Sequence, residues 1–121
     1  MTQPATYAGA KPPAGSADDA TISWTLTTAD GTGVAVTPYG DYADRTVSFG
    51  GTFGGATVVL EGSLDGSEYF TLDDPQGNPI SKTAPGIEAV LEAVKYIRPR
   101  LTVAGSGASI NVVLYMRKNK L

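Results

Sequence analysis

Two stretches decide the fold class: residues 57–72, TVVLEGSLDGSEYFTL, and residues 95–103, KYIRPRLTV. Val58 and Leu60 alternate with Thr57, Val59 and Glu61, which gives a strand one apolar side. Asp65-Gly66 then supplies a turn in which Asp and Gly suit positive φ, and residues 69–72 resume an extended segment. The reading is a β-hairpin with a defined core face, joined later by the Tyr96-Ile97-Arg98-Pro99 strand.

The same period-two pattern runs along the rest of the chain. In residues 21–27, TISWTLT, Ile22, Trp24 and Leu26 share one face and the threonines and Ser23 the other. A strand is expected over 34–38 and another over 46–49, with Val47 and Phe49 inward. Gly50-Gly51 and Gly54-Gly55 bracket Thr52-Phe53 and predict a bulge or bend. A turn-rich loop at 73–79 leads to a short strand at 80–83. Residues 87–94, IEAVLEAV, hold good helix formers but are too few for a stable helix, so one or two helical turns are expected there. Residues 96–103 and 109–117 are expected to pair through Gly105-Ser106-Gly107, with Ile110, Val112, Leu114 and Met116 inward. By alternation Trp24 and Phe70 belong to the core.

Length and composition agree with this pattern. A chain of 121 residues with 15 Gly, 8 Pro and 17% charged residues favours one all-β domain of short strands and tight turns. Net charge is −3, with no clustered basic surface of the kind phosphate backbones require, so nucleic acid is not an expected partner. No apolar run approaches the roughly 18 residues that span a bilayer, so no membrane is expected. With no His and no Cys, histidine-based nucleophile activation and thiol chemistry are both excluded. The chain reads as a non-enzyme, and no cofactor is implied.

Residues 1–20, MTQPATYAGAKPPAGSADDA, differ from the rest of the chain. They contain almost no large apolar side chain besides Tyr7 and cannot bury enough surface to fold alone. They are expected to form an extended arm on a β-sandwich domain of residues 21–121. The arm would lie on a partner surface through Tyr7 and Lys11, or else pack along its own domain.

These residues carry two resemblances. SLDGSEYFTL at 63–72 with VKYIRP at 94–99 resembles the discoidin-like, galactose-binding-like jelly rolls. That implies a jelly-roll-like β-sandwich of about eight strands. GGTFGGATVVLEGSLDG at 50–66, DPQGNP at 74–79, and YIRP with the last strand are similar to small structural proteins that phages encode near their capsid genes. This second resemblance implies a capsid decoration, or cement, protein. Such a protein would sit on the outer surface of the virion shell, bind the major capsid protein and self-associate as a trimer or dimer. The alternative is a carbohydrate-binding module of a virion.

Each candidate side chain also has a plainer role. Tyr39 and Tyr42, in a loop with Gly and Asp, suit an interface or a sugar-stacking platform. Arg98 and Arg100 flank Pro99, which lacks a ladder donor and predicts an edge or bulge. They would protect that edge or reach a carboxylate of a neighbouring subunit. Arg117 and Lys118 could grip an acidic capsid surface or merely solubilise the terminus. Asp73-Asp74 before Pro75 reads as a turn former rather than a catalytic pair. Asp41, Asp44, Asp65, Asp73, Asp74 and Asn78 are hard oxygen donors of the type calcium takes, without the spacing of a known loop.

Overall fold

The computed structural model describes residues 2–9, 19–37 and 44–117, with backbone only at Thr2 and at residues 7–9. Among these are β1 (Thr2–Gln3), β2 (Thr6–Gly9), β3 (Asp19–Thr27), β4 (Thr32–Gly33), β5 (Asp44–Thr52), β6 (Thr57–Ser63), β7 (Phe70–Thr71), β8 (Ser81–Lys82), β9 (Gly86–Ala89), β10 (Tyr96–Val103) and β11 (Ser109–Arg117). They build a β-sandwich. Sheet I has the order β1-β4-β10-β6-β7, with β8 also on β6, and sheet II the order β2-β3-β11-β5-β9.

The two segments β7 and β8 lie end to end along β6, opposite Glu61-Gly62 and Val58-Val59 respectively. They therefore occupy one strand position, interrupted by the 73–79 excursion. Counted that way, and setting β1 and β2 aside, eight positions remain. β3, β11, β5 and β9 face β4, β10, β6 and the β7/β8 position, which is the strand order of a jelly roll.

Alternation is cleanest in sheet II. Ile22, Trp24 and Leu26 of β3, Val47 and Phe49 of β5, and Ile110, Val112, Leu114 and Met116 of β11 are all buried. They meet Val58, Leu60, Ile97 and Leu101 of sheet I in one core. Trp24 is 2% exposed, and its indole Nε1–H donates to the Val34 carbonyl at 2.9 Å, so the large ring is buried with its polar atom satisfied.

Several expectations change. β10 and β11 are not partners: β10 lies between β4 and β6 in sheet I, and β11 between β3 and β5 in sheet II. The Gly105–Gly107 connection carries the chain from one sheet to the other. The glycine pairs at 50–55 do the same between β5 and β6. No register shift marks β5 against β11, and the bend comes after Thr52. Gly54 there has φ +58° and its missing Cβ would stand 2.1 Å from the Ser106 carbonyl oxygen, so no side chain fits.

Residues 87–94 form no helix. Gly86–Ala89 pair with Phe49–Thr46 of β5, and Val90 N–H donates to Arg45 O at 3.0 Å. A helical turn here would leave the edge of β5 unpaired, and two turns bury too little to repay nucleation. The strand expected over 34–38 is not formed by its described residues: β4, Thr32–Gly33, lies just before it, and Val36 makes a single bridge to Ile97.

The first residues join the domain's own sheets. β1 pairs in parallel with β4, β2 pairs antiparallel with β3, and Ala5 between them packs against the core. Residues 2–9 thus cover an edge of each sheet, the packing along its own domain that was the alternative to an arm on a partner. β3 begins at Asp19, and Ala20 is already buried. On the opposite side the Lys82 ammonium pairs with the Glu88 carboxylate, bridging β8 of sheet I and β9 of sheet II.

Candidate interaction surface

The predicted side chains separate. Arg98 and Arg100 come together, but on an internal strand. Their carboxylate belongs to the same chain: Arg98 Nε lies 3.1 Å from Glu61 Oε1, and Arg100 Nε lies 2.9 Å from Glu61 Oε2. Register explains this, because Arg98 stands opposite Glu61 and Arg100 opposite Val59 on the outer face of sheet I. The Arg98 guanidinium also stacks on the Tyr69 ring, 3.8 Å from its centroid. Glu61 is 4% exposed, so the two arginines act first as the counter-charge of a buried carboxylate.

Pro99 does not lie on an edge strand and keeps regular register with Leu60 of β6, but on the β4 side the three steps from Ile97 to Arg100 oppose four from Val36 to Thr32, so the expected irregularity falls beside it. Ile97 N–H bonds to Val36 O and Leu101 N–H to Gly31 O, so the missing donor of Pro99 falls at the irregular pairing between them, opposite Gly33. The proline ring packs there against Gly33, whose Cβ, if present, would lie 2.7 Å from Pro99 Cδ.

Arg117 pairs with Asp44, its partner in register across β11 and β5, with Nε 3.1 Å from Asp44 Oδ2. That bond and charge hold its pKa above the ordinary value. Tyr7 lies in β2 opposite Ile22. Lys11, Tyr39, Tyr42 and Lys118, and Asp41 among the oxygen donors, lie outside the described residues.

The turn after β6 is wider than a two-residue hairpin. Ser63 Oγ donates to Asp65 Oδ1 at 3.0 Å and accepts from Gly66 N–H at 2.9 Å. Asp65 Oδ1 also accepts from the N–H groups of Ser67 and Glu68 at 2.8 and 3.0 Å. The Glu68 and Ser67 amides and the Ser63 hydroxyl together hold the Asp65 carboxyl below its usual range. Only Gly66 takes positive φ, and it lies against the Tyr96 ring.

This turn separates two environments. On its outer side are Tyr69, Tyr96 and the Arg98–Glu61–Arg100 group. On its inner side is an open apolar cavity of about 520 Å³. Gly62 and Leu72 form its floor with Val94, which approaches so closely that a Cβ on Gly62 would be 2.5 Å from a Val94 methyl. At its mouth Leu64 and Phe70 are 74% and 66% exposed. The core position expected for Phe70 is therefore corrected. Phe70 stands opposite Gly62 on the inward face, but β7 is two residues long and its side chain opens on the cavity instead of a facing strand.

The cavity wall at 92–94 is tied down by polar contacts. Asp73 N–H donates to Glu92 Oε1 at 2.8 Å, and Leu91 N–H donates to Asp73 O at 2.9 Å. Arg45, buried at the end of the core, donates from Nη1 to Val94 O at 3.4 Å, and desolvation lowers its pKa. Loss of solvent, then the charge and hydrogen bond of Glu92, raise the Asp73 pKa. Asp73 is thus coupled to Glu92 across the fold. Asp74 is a turn former, accepting from the N–H groups of Gln76 and Asn78 at 2.9 and 3.0 Å. Among the described residues no group of three or more His, Cys, Asp or Glu converges as a metal site would require.

Sequence reasoning missed Leu64, Phe70, Glu92 and Val94 as neighbours. Two signals were present: Leu64 is a large apolar residue inside the polar SLDGSE turn, and Tyr69 and Phe70, being adjacent in an extended segment, must face opposite sides. Comparison of the chain with protein-family models, with curated proteins and with solved structures finds no match.

Proposed function

We propose that the protein is a structural component of a phage virion, a decoration or cement protein that binds the outer surface of the assembled capsid. Its partner is the major capsid protein, and it acts as a trimer or dimer. The observation that carries this reading is the end of the sandwich at 62–72 and 91–94. There Leu64 and Phe70, more than half exposed, flank an open cavity, and Leu91, also more than half exposed, immediately precedes its wall at 92–94. Clustered apolar exposure of this kind favours a covering partner. The capsid resemblance of residues 46–117 supplies the partner's identity.

The mechanism is mechanical. A protein that binds the assembled shell better than its free subunits stabilises the shell by linkage, and multiple contacts per unit add avidity. A rigid jelly roll suits this, because little chain order is lost on docking. The test is co-sedimentation with native particles and with free capsomers of the phage that encodes it. Heat release of packaged DNA is followed in parallel. Saturable binding to particles with delayed release is expected. Binding to glycans without any shell would put a carbohydrate-binding module in its place.

A further inference from the structure

We infer that the cavity between residues 62–72 and 92–94 receives a large apolar side chain carried beside a Lys or Arg on an exposed segment of the capsid protein. This rests on the function proposed above and gives that contact its chemistry. The volume of about 520 Å³ suits one or a few side chains rather than a flat contact. Its floor is apolar, made by Leu72 and Val94 over Gly62, and its mouth is flanked by Leu64 and Phe70, whose exposure leaves apolar area to bury.

The rim is acidic. Asp65, Glu68 and Glu92 line the cavity, and none of its lining residues is a Lys or Arg. Asp65 and Glu92 accept backbone N–H bonds, and among the described residues neither they nor Glu68 form an ion pair. A cation on the incoming segment would therefore be attracted at the rim while its apolar neighbour enters. A second copy of this chain fits poorly: of its exposed large apolar residues Leu64, Ile87 and Leu91 each precede a carboxylate, Val34, Phe70 and Val103 have no charged neighbour in sequence, and the Arg117 beside Tyr115 is already paired with Asp44. A sugar would meet its polar partners only away from the floor, where Gly62, Leu72 and Val94 offer its hydroxyls no side-chain hydrogen bond.

The first arm of the test measures affinity for native particles. Leu64→Ser and Phe70→Ser alter exposed side chains, so folding should survive and be verified by circular dichroism. Each is expected to weaken binding tenfold or more. Glu68→Lys should weaken it several-fold and reduce its salt dependence, and Ile87→Ser, on the outer face of sheet II, should leave it unchanged. Wild-type affinity in both Leu64→Ser and Phe70→Ser would overturn the inference and leave the capsid role standing. In the second arm the methyl signals of Leu72 and Val94 are followed while acetyl-Arg-Leu-Arg-amide or acetyl-Glu-Leu-Glu-amide is added. Shifts with the basic peptide alone are expected, and equal responses or none would overturn the inference. If the wild-type protein ignores particles altogether, the capsid role fails, and the peptide comparison alone decides what the cavity takes.

Discussion

β11 and β6 are both central strands, yet they are buried in different ways. Along β11 burial alternates: Ile110, Val112, Leu114 and Met116 are inside while Ser109, Asn111, Tyr115 and Arg117 face out. Along β6 every residue from Val58 to Ser63 is buried. Its inner face meets the core, as in β11. Its outer face is covered by the side chains of Arg98 and Arg100 and by the turn that Ser63 and Asp65 organise. A jelly-roll strand can thus be dry on both faces without a second sheet, when long cationic side chains lie over a buried carboxylate. The contrast also locates the open end. β11 is flanked along its whole length, whereas the far end of β6 is flanked by a two-residue strand and then by the cavity.

The strongest way to break this comparison is to remove side chains from the inner faces. Leu114→Ala in β11 should cost about 3 kcal/mol, since a fully buried leucine leaves a cavity that strands on both sides keep from collapsing. Chemical denaturation measures it, and the outward Val113→Ala on the same strand should cost under about 1 kcal/mol. If both cost the same, β11 has no privileged face.

Glu61→Ala probes the outer face of β6 and should cost about 2 kcal/mol. Breaking a buried pair costs more in general, but Arg98 and Arg100 keep partial access to water, with side chains 26% and 38% exposed. A neutral result would mean that the arginines cover β6 by packing alone. Double substitution of Glu61 and Arg98 isolates their coupling and should return about 1 kcal/mol.

Smaller effects come from the two carboxyls on either side of the cavity, and they have opposite signs. The Asp65 pKa is lowered in the fold, so its contribution is present above the unfolded value and disappears as pH falls through the folded one. The Asp73 pKa is raised, by loss of solvent and then by Glu92, so its contribution is present in acid and is lost as pH rises through the folded value. Asp73→Asn should therefore remove a fall in melting temperature on going from acid to neutral pH. Asp65→Asn should remove part of the acid-side loss. Melting curves between pH 3 and 7 for the two variants check both signs.

Much of the body was legible in residue order. β3, β5 and β11 announce themselves by strict alternation, and Ile22, Trp24, Val47, Phe49 and Leu114 lie inside as their parity requires. The pairing of β10 with β11 was misread because neighbours in sequence commonly form hairpins. A jelly roll instead sends its short connections across the core from sheet to sheet. Residues 87–94 were misread because helix propensity is a weak preference, and an available sheet edge outweighs it. For Pro99 only the edge was misread: its strand is internal, while the irregular pairing does fall beside it, where its ring meets Gly33.

The candidate surface was less legible than the fold. Arg98 and Arg100 were singled out for their spacing, but their carboxylate, Glu61, lies 37 and 39 residues away, and only register brings it to them. Phe70 had the parity of a core residue and lacks only a facing strand.

By itself the sequence determined that the chain is all-β, that it has no histidine or cysteine chemistry, and which face of each regular strand is apolar. These come from composition and period-two patterning, which are local properties. Only the tertiary structure decided which strands are partners, that residues 2–9 cover the sheets' edges, that Glu61 is held between two arginines, and that Phe70 and Leu64 flank a cavity. Those are facts of register and of where a neighbouring strand ends, and they depend on residues far apart in the chain.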